Sequence, residues 1–140
     1  MLIKDFMRSD VFHIGPQATL LEAAEKLVDS GVDTLLILNG DELRGVIGLR
    51  DLFTAPIPAH YGNPMVRHDS EAQLLDIWKT MSVRDLMNDK VISVNEETSL
   101  LRAAELMANS GKHPLPVLRD GKVIGVISRT DVVRALLTKA

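Results

Sequence analysis

The chain has 140 residues, of which 46% are hydrophobic and 25% charged, with a formal net charge of -3 and no cysteine. This composition is typical of one compact globular protein, and it argues against a disordered chain, a disulfide scaffold, Cys-ligated zinc and a nucleic-acid partner. No stretch approaches the roughly 20 apolar residues of a membrane span, so the sequence predicts a cytoplasmic protein without one.

The first 55 residues predict elements in the order β-α-β-β-α. Thr19 and Glu22 form a capping-box pattern that starts a helix, and Gly31 is placed to end it in a left-handed conformation. The strands are expected at residues 11–14, 35–38 and 43–47, and the second helix at residues 50–55. The apolar face of the first helix is expected to hold Leu20, Ala23, Ala24, Leu27 and Val28.

Residues 56–80 are expected to connect two similar parts of the chain. Pro56, Pro58, Gly62 and Pro64 predict an extended loop. A second capping-box pattern at residues 70–73 then predicts an amphipathic helix over about residues 71–81, with Leu74, Leu75, Trp78 and Met81 on one face. That face either packs on the rest of the protein or forms a dimer contact, because tryptophan is common in both settings.

The elements of residues 81–140 repeat the earlier order. Ser99 and Gly111 bracket a helix that carries Leu100, Ala103, Ala104 and Met107 on one face. Strands are expected at residues 91–94, 115–118 and 123–127, and a final helix at residues 129–137 with Val132, Val133 and Leu136 on an apolar stripe.

An internal repeat at a constant offset of 80 positions, as from Asp51 to Asp131, accounts for this order. Without a gap, the offset aligns Met1, Asp5 and Met7 with Met81, Asp85 and Met87. It also aligns Leu20, Leu21, Ala23, Ala24, Glu25, Ser30, Gly31, Gly45, Val46 and Ile47 with identical residues. We therefore divide the chain into copy one (1–55), a connection (56–80) and copy two (81–140). Each copy is too small to bury a good core alone, so we expect the two to pack on each other.

The motifs shared by both copies resemble a tandem pair of cystathionine beta-synthase (CBS) domains. They are the Asp-x-Met lead-ins at 5–7 and 85–87, the capped helices, the Gly-Lys-His-Pro-Leu-Pro-Val segment at 111–117, and Gly-Val-Ile-x-x-x-Asp at 45–51 and 125–131. The resemblance implies an α/β fold of two pseudo-twofold-related β-α-β-β-α repeats packed through their sheets. It also implies a regulatory protein, commonly a homodimer, that binds an adenosine-containing ligand between the copies, signals to an effector protein and needs no obligatory cofactor.

The segment at 125–131 has chemistry that suits such a ligand. Ser128 stands where a helix begins, and the unpaired N–H groups of a helix N-terminus attract an anion such as phosphate. Arg129 adds a positive charge, and the Asp131 carboxylate is a good double acceptor for a ribose diol. The same Ser-x-x-Asp pattern is also a plain helix cap, which needs no ligand.

The resemblance assigns roles to these and other residues. Asp131 would bind ribose, and Ser128 with nearby polar groups would bind phosphate or ribose, while Val91, Ile92, Val94 and the backbone near Pro116 and Val117 would hold adenine. The candidate ligand-binding residues are Asp131, Ser128, Arg129, Thr130, Val91, Ile92, Val94, Lys112, His113, Pro116 and Val117. Candidates for a second, weaker site are Asp51, Arg50, Val11 and Ile14.

The second site is expected to be weaker because copy one lacks the hydroxyl. Gly48 stands where copy two has Ser128, and Asp33 would oppose an anion where His113 would assist one. The histidines have no metal-ligand spacing, and Ser128 has no sequence-local partner that would make it a nucleophile, so we expect neither a metal site nor catalysis. AMP, ADP, ATP, S-adenosylmethionine and NAD(H) are the candidate ligands. The alternatives are a structural or dimerising module without a nucleotide ligand, and an enzyme of unknown class.

Overall fold

The computed structural model describes residues 1–55 and 70–140; the loop predicted around Pro56, Pro58, Gly62 and Pro64 lies outside these residues. The strands are β1 (His13–Ile14), β2 (Thr34–Asn39), β3 (Glu42–Gly48), β4 (Val94–Asn95), β5 (Leu115–Arg119) and β6 (Lys122–Ile127). The helices are α1 (Leu20–Ser30), α2 (Leu49–Phe53), α3 (Glu71–Thr80), α4 (Leu100–Ser110) and α5 (Arg129–Leu137). Both copies have the order β-α-β-β-α, which confirms the predicted mixed α/β class.

The two long helices begin and end where the sequence predicts. The hydroxyl oxygen of Thr19 accepts a hydrogen bond from the Glu22 N–H at 3.1 Å, and that of Ser99 accepts one from the Arg102 N–H at 3.1 Å. Gly31 and Gly111 end the helices with φ of 72° and 69°, a conformation in which only glycine avoids a steric penalty.

The strands of each copy pair in the same register. Ile14 pairs with Ile37 in the parallel ladder of β1 and β2, and Val94 pairs with Val117 in that of β4 and β5. Strands β5 and β6 form an antiparallel hairpin whose turn places Asp120 and Gly121 at positive φ. Strands β1 and β4 are only two residues long, shorter than the β-branched stretches that predicted them.

The described chain forms two compact units whose boundaries differ from those of the sequence copies. Unit 1 contains Met1–Val11, Asp41–Leu43 and Lys90–Ala140, and unit 2 contains Phe12–Gly40 and Arg44–Asp89. The segment Met1–Val11, here named the first lead-in, therefore belongs to the unit that holds α4, β5, β6 and α5. The second lead-in, residues 81–89, belongs to the unit that holds α1, β2 and α2.

Backbone hydrogen bonds hold each lead-in in its unit. In unit 1, the Ile3 N–H donates to the Thr98 carbonyl at 2.9 Å, and the Leu100 N–H donates to the Met1 carbonyl at 2.9 Å. The equivalent bonds in unit 2 join Val83 to Ala18 at 2.8 Å and Leu20 to Met81 at 2.9 Å. Ile3 and Val83 are completely buried, so each lead-in supplies part of the core of its unit.

Each lead-in also pairs with the strand that precedes a helix of its unit, β6 before α5 in unit 1 and β3 before α2 in unit 2. Arg8 and Val126 exchange two backbone hydrogen bonds at 2.8 and 2.9 Å, and Asn88 and Val46 exchange two at 3.0 Å. A side chain at Gly125 would place its Cβ 2.5 Å from the Arg8 carbonyl oxygen, and one at Gly45 would lie 2.8 Å from the Asn88 carbonyl oxygen. The glycine of each Gly-Val-Ile motif therefore leaves room for a backbone carbonyl group of the lead-in.

The predicted apolar faces are too broad in three helices, α1, α3 and α5. In α1, Leu20, Ala23 and Leu27 are buried, but Val28 is 75% exposed. In α5, Val132 and Ala135 are buried, whereas Val133 and Leu136 are exposed. Successive helical residues are about 100° apart, so a residue beside a buried one turns away from a narrow contact.

Helix α3 packs on its own unit, which is the first of the two alternatives left by the sequence; the dimer contact stays a prediction. Ile77, Trp78 and Met81 pack against the core of unit 2. The indole N–H of Trp78 also donates to the Leu52 carbonyl at 3.0 Å. Leu75, which the sequence predicts on the same face, is 40% exposed and is not among the residues packed against this core.

Candidate functional site

The N-terminus of α5 in unit 1 brings Ser128 and Asp131 together. The Ser128 hydroxyl oxygen accepts a hydrogen bond from the Asp131 N–H at 3.1 Å, and the Ser128 N–H donates to Oδ2 of Asp131 at 2.9 Å. This reciprocal capping box satisfies two groups at the helix end. The cap expected from the Ser-x-x-Asp pattern is therefore formed within the chain.

The Asp131 carboxylate also holds two arginines. Its Oδ1 lies 3.1 Å from Nε of Arg8 and 3.2 Å from Nη1 of Arg134. Only 2% of the Asp131 side chain is exposed, whereas the side chains of Arg8 and Arg134 are 51% and 60% exposed. A nearly buried carboxylate thus anchors two solvent-exposed guanidinium groups.

The surroundings of Asp131 keep it ionised. Burial alone raises the pKa of the carboxyl group, because the charged form loses hydration. The hydrogen bonds with Ser128 and the hydrogen bond and charge of Arg8 act in the opposite direction, and together they lower the pKa of Asp131 below its ordinary value. The carboxylate is therefore negatively charged at neutral pH.

The sequence reasoning missed Arg8 and Arg134. Arg8 comes from the first lead-in, and its backbone bonds to Val126 place it beside the end of β6. The signal that was available is the repeat itself. At the offset of 80, Arg8 corresponds to Asn88 and Arg134 to Thr54, so both charged partners of Asp131 are particular to unit 1.

The equivalent region of unit 2 keeps only part of this arrangement. Oδ2 of Asp51 accepts a hydrogen bond from the Gly48 N–H at 2.7 Å, as Asp131 does from Ser128. Gly48 supplies no hydroxyl group. Asp51 is half-buried rather than buried, and its helix α2 is five residues long.

The loop before β2 explains why glycine occupies position 48. The Asp33 carbonyl accepts a hydrogen bond from the Leu49 N–H at 3.0 Å, which satisfies a group at the start of α2. A Cβ added at Gly48 would lie 3.0 Å from the same carbonyl and 3.4 Å from the Thr34 hydroxyl oxygen. A serine at this position would need the loop to move.

The other candidate residues in unit 1 differ in accessibility. Arg129 and Thr130 are exposed in the first turn of α5, and Val91, Ile92 and His113 are half-buried. Val94, Pro116 and Val117 are buried, so their side chains belong to the packed interior and only their backbone groups remain as contacts. The Lys112 ammonium group donates a hydrogen bond to the Lys90 carbonyl, which occupies one of its three donors.

The candidates for the second site fall in both units. Asp51, Arg50 and Ile14 belong to unit 2, with Arg50 exposed and Ile14 buried. Val11, which the sequence groups with Asp51, belongs to unit 1.

Two open depressions lie elsewhere on the units. One, of about 380 Å³, is lined in unit 1 by residues of β4, α4 and β5, including Val94 and Arg102. The other, of about 420 Å³, is lined in unit 2 by Phe12 and residues of α1. Neither includes Ser128, Asp131 or Asp51. Within residues 1–55 and 70–140, no cluster of three histidine or acidic side chains is placed to hold a metal ion.

Comparison with known proteins identifies the family. The model of the CBS domain matches residues 3–57 and 83–138, one match for each copy of the repeat. The chain belongs to the CBS domain family. Solved CBS structures share its fold: the CBS-pair protein CBSX2 from Arabidopsis thaliana is 28% identical with a TM-score of 0.82, over 99% of this chain and 95% of that one.

A second structure of CBSX2 is a complex with AMP. It is 29% identical to this CBS pair with a TM-score of 0.77, and the match covers 98% of this chain and 97% of that one. Among curated relatives, an uncharacterized protein of Methanopyrus kandleri is 29% identical over 94% of this chain, and the chloroplastic CBSX1 of Arabidopsis thaliana is 28% identical over 96%. The chain spans 61% and 64% of the length of these two proteins.

Proposed function

We propose that this CBS pair is a regulatory module that binds an adenosine-containing ligand at the N-terminus of α5. The observation that carries the proposal is the arrangement of Ser128 and Asp131, in which a hydroxyl group, a carboxylate and a helix end meet in four residues. The AMP complex of CBSX2, a protein similar over nearly its whole length, supports the choice of an adenosine compound.

The roles follow from the acceptor and donor groups that the cap leaves available. Each carboxylate oxygen can accept about two hydrogen bonds. Oδ1 of Asp131 receives two from arginines, and Oδ2 receives one from Ser128, so Oδ2 keeps one acceptor position for a ribose hydroxyl group. Because only 2% of the Asp131 side chain is exposed, this ribose contact requires side chains at the site to shift. The exposed Arg129 and the positive end of the helix favour a phosphate group near Ser128.

We also propose that the Asp131 site is stronger than the Asp51 site. Gly48 offers no hydroxyl group, and the Asp33 carbonyl already uses the Leu49 N–H at the start of α2. Helix α2 is also short, so its dipole is weaker. Arg50 and Asp51 remain the polar groups that a ligand of copy one would contact.

The regulatory role is proposed instead of catalysis. A ligand can act on an effector protein only by having different affinities for two arrangements of the module. AMP, ADP, ATP, S-adenosylmethionine and NAD(H) are the ligands to examine, and no obligatory cofactor is proposed. Cytoplasmic location remains a prediction, since relatives include chloroplastic and mitochondrial proteins. Of the residues described, none forms a helix long and apolar enough to cross a membrane.

A thermal-shift panel with these ligands tests the proposal. A ligand at 100 times its dissociation constant should stabilise the folded protein by about 2.7 kcal/mol. Ser128→Ala should weaken the response, whereas Asp51→Asn should leave most of it. Two equal sites in a titration, or loss of binding in Asp51→Asn alone, would refute the order of the sites.

A structural or dimerising module is the second candidate, and one observation favours it. The exposed side of α5 carries Val133, Leu136 and Leu137, which are 56%, 41% and 65% exposed. Such a face suits a homodimer contact. Val133→Lys should then shift the protein to a monomer in analytical ultracentrifugation. No response to any ligand of the panel, together with this shift, would favour the structural function.

A further inference from the structure

The ion pairs of Asp131 determine which groups are accessible to a ligand at the N-terminus of α5. The carboxylate is almost inaccessible, with 2% of its side chain exposed. The accessible groups are the guanidinium of Arg8, half exposed at 51%, and that of Arg134, at 60%. A ligand approaching α5 therefore meets positive charge that the buried carboxylate holds in place.

The contact of Arg8 leaves most of its donors available. A guanidinium group carries five N–H donors in a fixed plane, and Arg8 uses only Nε on Asp131. In the part of the chain that the structure describes, Asp131 is the only polar partner of the Arg8 side chain, so both η nitrogens remain for another acceptor. A planar pair of N–H groups fits two oxygens of a phosphate.

Asp131 also limits the freedom of Arg8. The lead-in backbone is fixed by two hydrogen bonds to Val126, and the side chain is fixed by Oδ1 of Asp131. A donor that is already oriented loses less conformational entropy when a ligand binds. Arg8 should therefore lose less conformational entropy on binding an anion than a freely rotating surface arginine would.

The charge balance around the repeated aspartate differs between the two units. Arg8, Arg134 and Asp131 together carry a formal charge of +1, and Arg129 follows directly in the first turn of α5. The equivalent positions of unit 2 hold Asn88, Thr54 and Asp51, whose formal charges sum to -1, and adding Arg50 brings the sum only to zero. Attraction of a phosphate group is thus expected at α5 and not at α2.

We propose that Arg8 is a specificity-determining residue of the Asp131 site, where it binds the phosphate group and selects phosphorylated adenosine over adenosine. The inference rests on the proposed function, since it concerns the same ligand site. It adds that the first lead-in, which belongs to copy one in sequence, contributes a ligand contact to copy two.

The test compares the affinities of AMP and adenosine for the full chain by isothermal titration calorimetry. In Arg8→Gln, the ratio of the two affinities should fall about fivefold, while the affinity for adenosine changes less than about twofold. Arg8→Lys keeps the charge and should restore part of the ratio. Lys4→Gln is the matched control, because Lys4 lies in the same lead-in and forms a 3.1 Å ion pair with Glu97, away from Asp131. In this variant, the ratio of the AMP and adenosine affinities should equal that of the original protein.

Each other outcome decides against the proposal. Equal losses for both ligands in Arg8→Gln would show that Arg8 only supports the structure, and tighter AMP binding would show that it competes with the ligand. If the original protein binds AMP and adenosine equally well, the proposal that Arg8 selects phosphorylated adenosine is wrong, while the proposed function stands. If it binds neither these nor the other ligands of the panel, both fail.

Discussion

Arg8 and Asp131 are separated by 123 positions in the sequence, and Nε of Arg8 lies 3.1 Å from Oδ1 of Asp131. The same carboxylate caps α5 through Ser128. One buried acidic group therefore joins the start of the chain to its final helix, and it stabilises the local cap and the long-range contact together.

The first prediction concerns the different structural importance of the two repeated aspartates. Asp131→Asn should reduce the free energy of unfolding by about 2 kcal/mol, because it removes a charged cap and leaves two arginines without their anion. Asp51→Asn should cost about 1 kcal/mol or less, since Asp51 is half-buried and its side chain accepts a hydrogen bond from the Gly48 N–H. Urea unfolding of both variants measures the difference, and equal losses would contradict this account.

The second prediction concerns acid stability. Burial raises the pKa of Asp131, but its bonds with Ser128 and Arg8 outweigh burial, so its folded-state pKa is below the unfolded value of about 3.9. A depressed acid pKa stabilises the folded state above the unfolded pKa, and this contribution is lost as pH falls through the folded pKa. The free energy of unfolding should therefore decline less steeply below about pH 4 in Asp131→Asn than in the original protein.

Urea titrations at a series of pH values check this prediction. Glu96, whose pKa is lowered mainly by its hydrogen bond to Arg119, is present in both proteins and contributes equally. The difference between the two curves thus isolates Asp131. Parallel curves would show that Asp131 does not contribute to the acid dependence.

The third prediction concerns the close approach at Gly125. In Gly125→Ala, the new Cβ would meet the Arg8 carbonyl oxygen at 2.5 Å, and neither the strand nor the lead-in can move without breaking backbone bonds. We expect a loss of about 3 kcal/mol. Gly15→Ala is the control, because no atom lies within 4 Å of its added Cβ and its φ is not positive. It should change stability by less than about 0.5 kcal/mol.

The fourth prediction concerns Trp78, the single tryptophan of the chain. Trp78→Phe keeps much of the apolar contact but leaves the Leu52 carbonyl without the indole N–H. The expected loss in the free energy of unfolding is about 1 kcal/mol. Leu75→Ala, at a 40% exposed position, should cost less; a larger loss there would mean that the outer face of α3 is covered in solution.

Local features of the fold followed well from the sequence, because their causes are local. Thr19 and Ser99 cap the helices that Gly31 and Gly111 end, and these signals lie within a few residues of the structure they determine. The repeat offset likewise predicted two copies, and the resemblance of their motifs to CBS domains indicated the family. The exposure of Val28 and Val133 was not predicted, since it depends on how wide a stripe the neighbouring strands cover.

The long-range parts of the candidate site were beyond local patterns. Ser128 and Asp131 are close in sequence, so the cap was predictable. Arg8 contacts Asp131 only because the first lead-in packs beside β6, and no spacing rule links positions 8 and 131. A comparison of Arg8 with Asn88 was the available clue, but a difference between copies does not indicate which partner a side chain contacts.

The first lead-in belongs to the unit that holds the helices and strands of copy two. This placement has a consequence for the order in which the protein folds during synthesis. Every residue of unit 2 lies between Phe12 and Asp89, so all of unit 2 has been synthesised before α4, β5 and β6. Ile3, which is completely buried in unit 1, has to wait until α4, β5 and β6 have been translated. The apolar residues made first are thus among the last to be shielded from water, and the nascent chain exposes them for most of its synthesis.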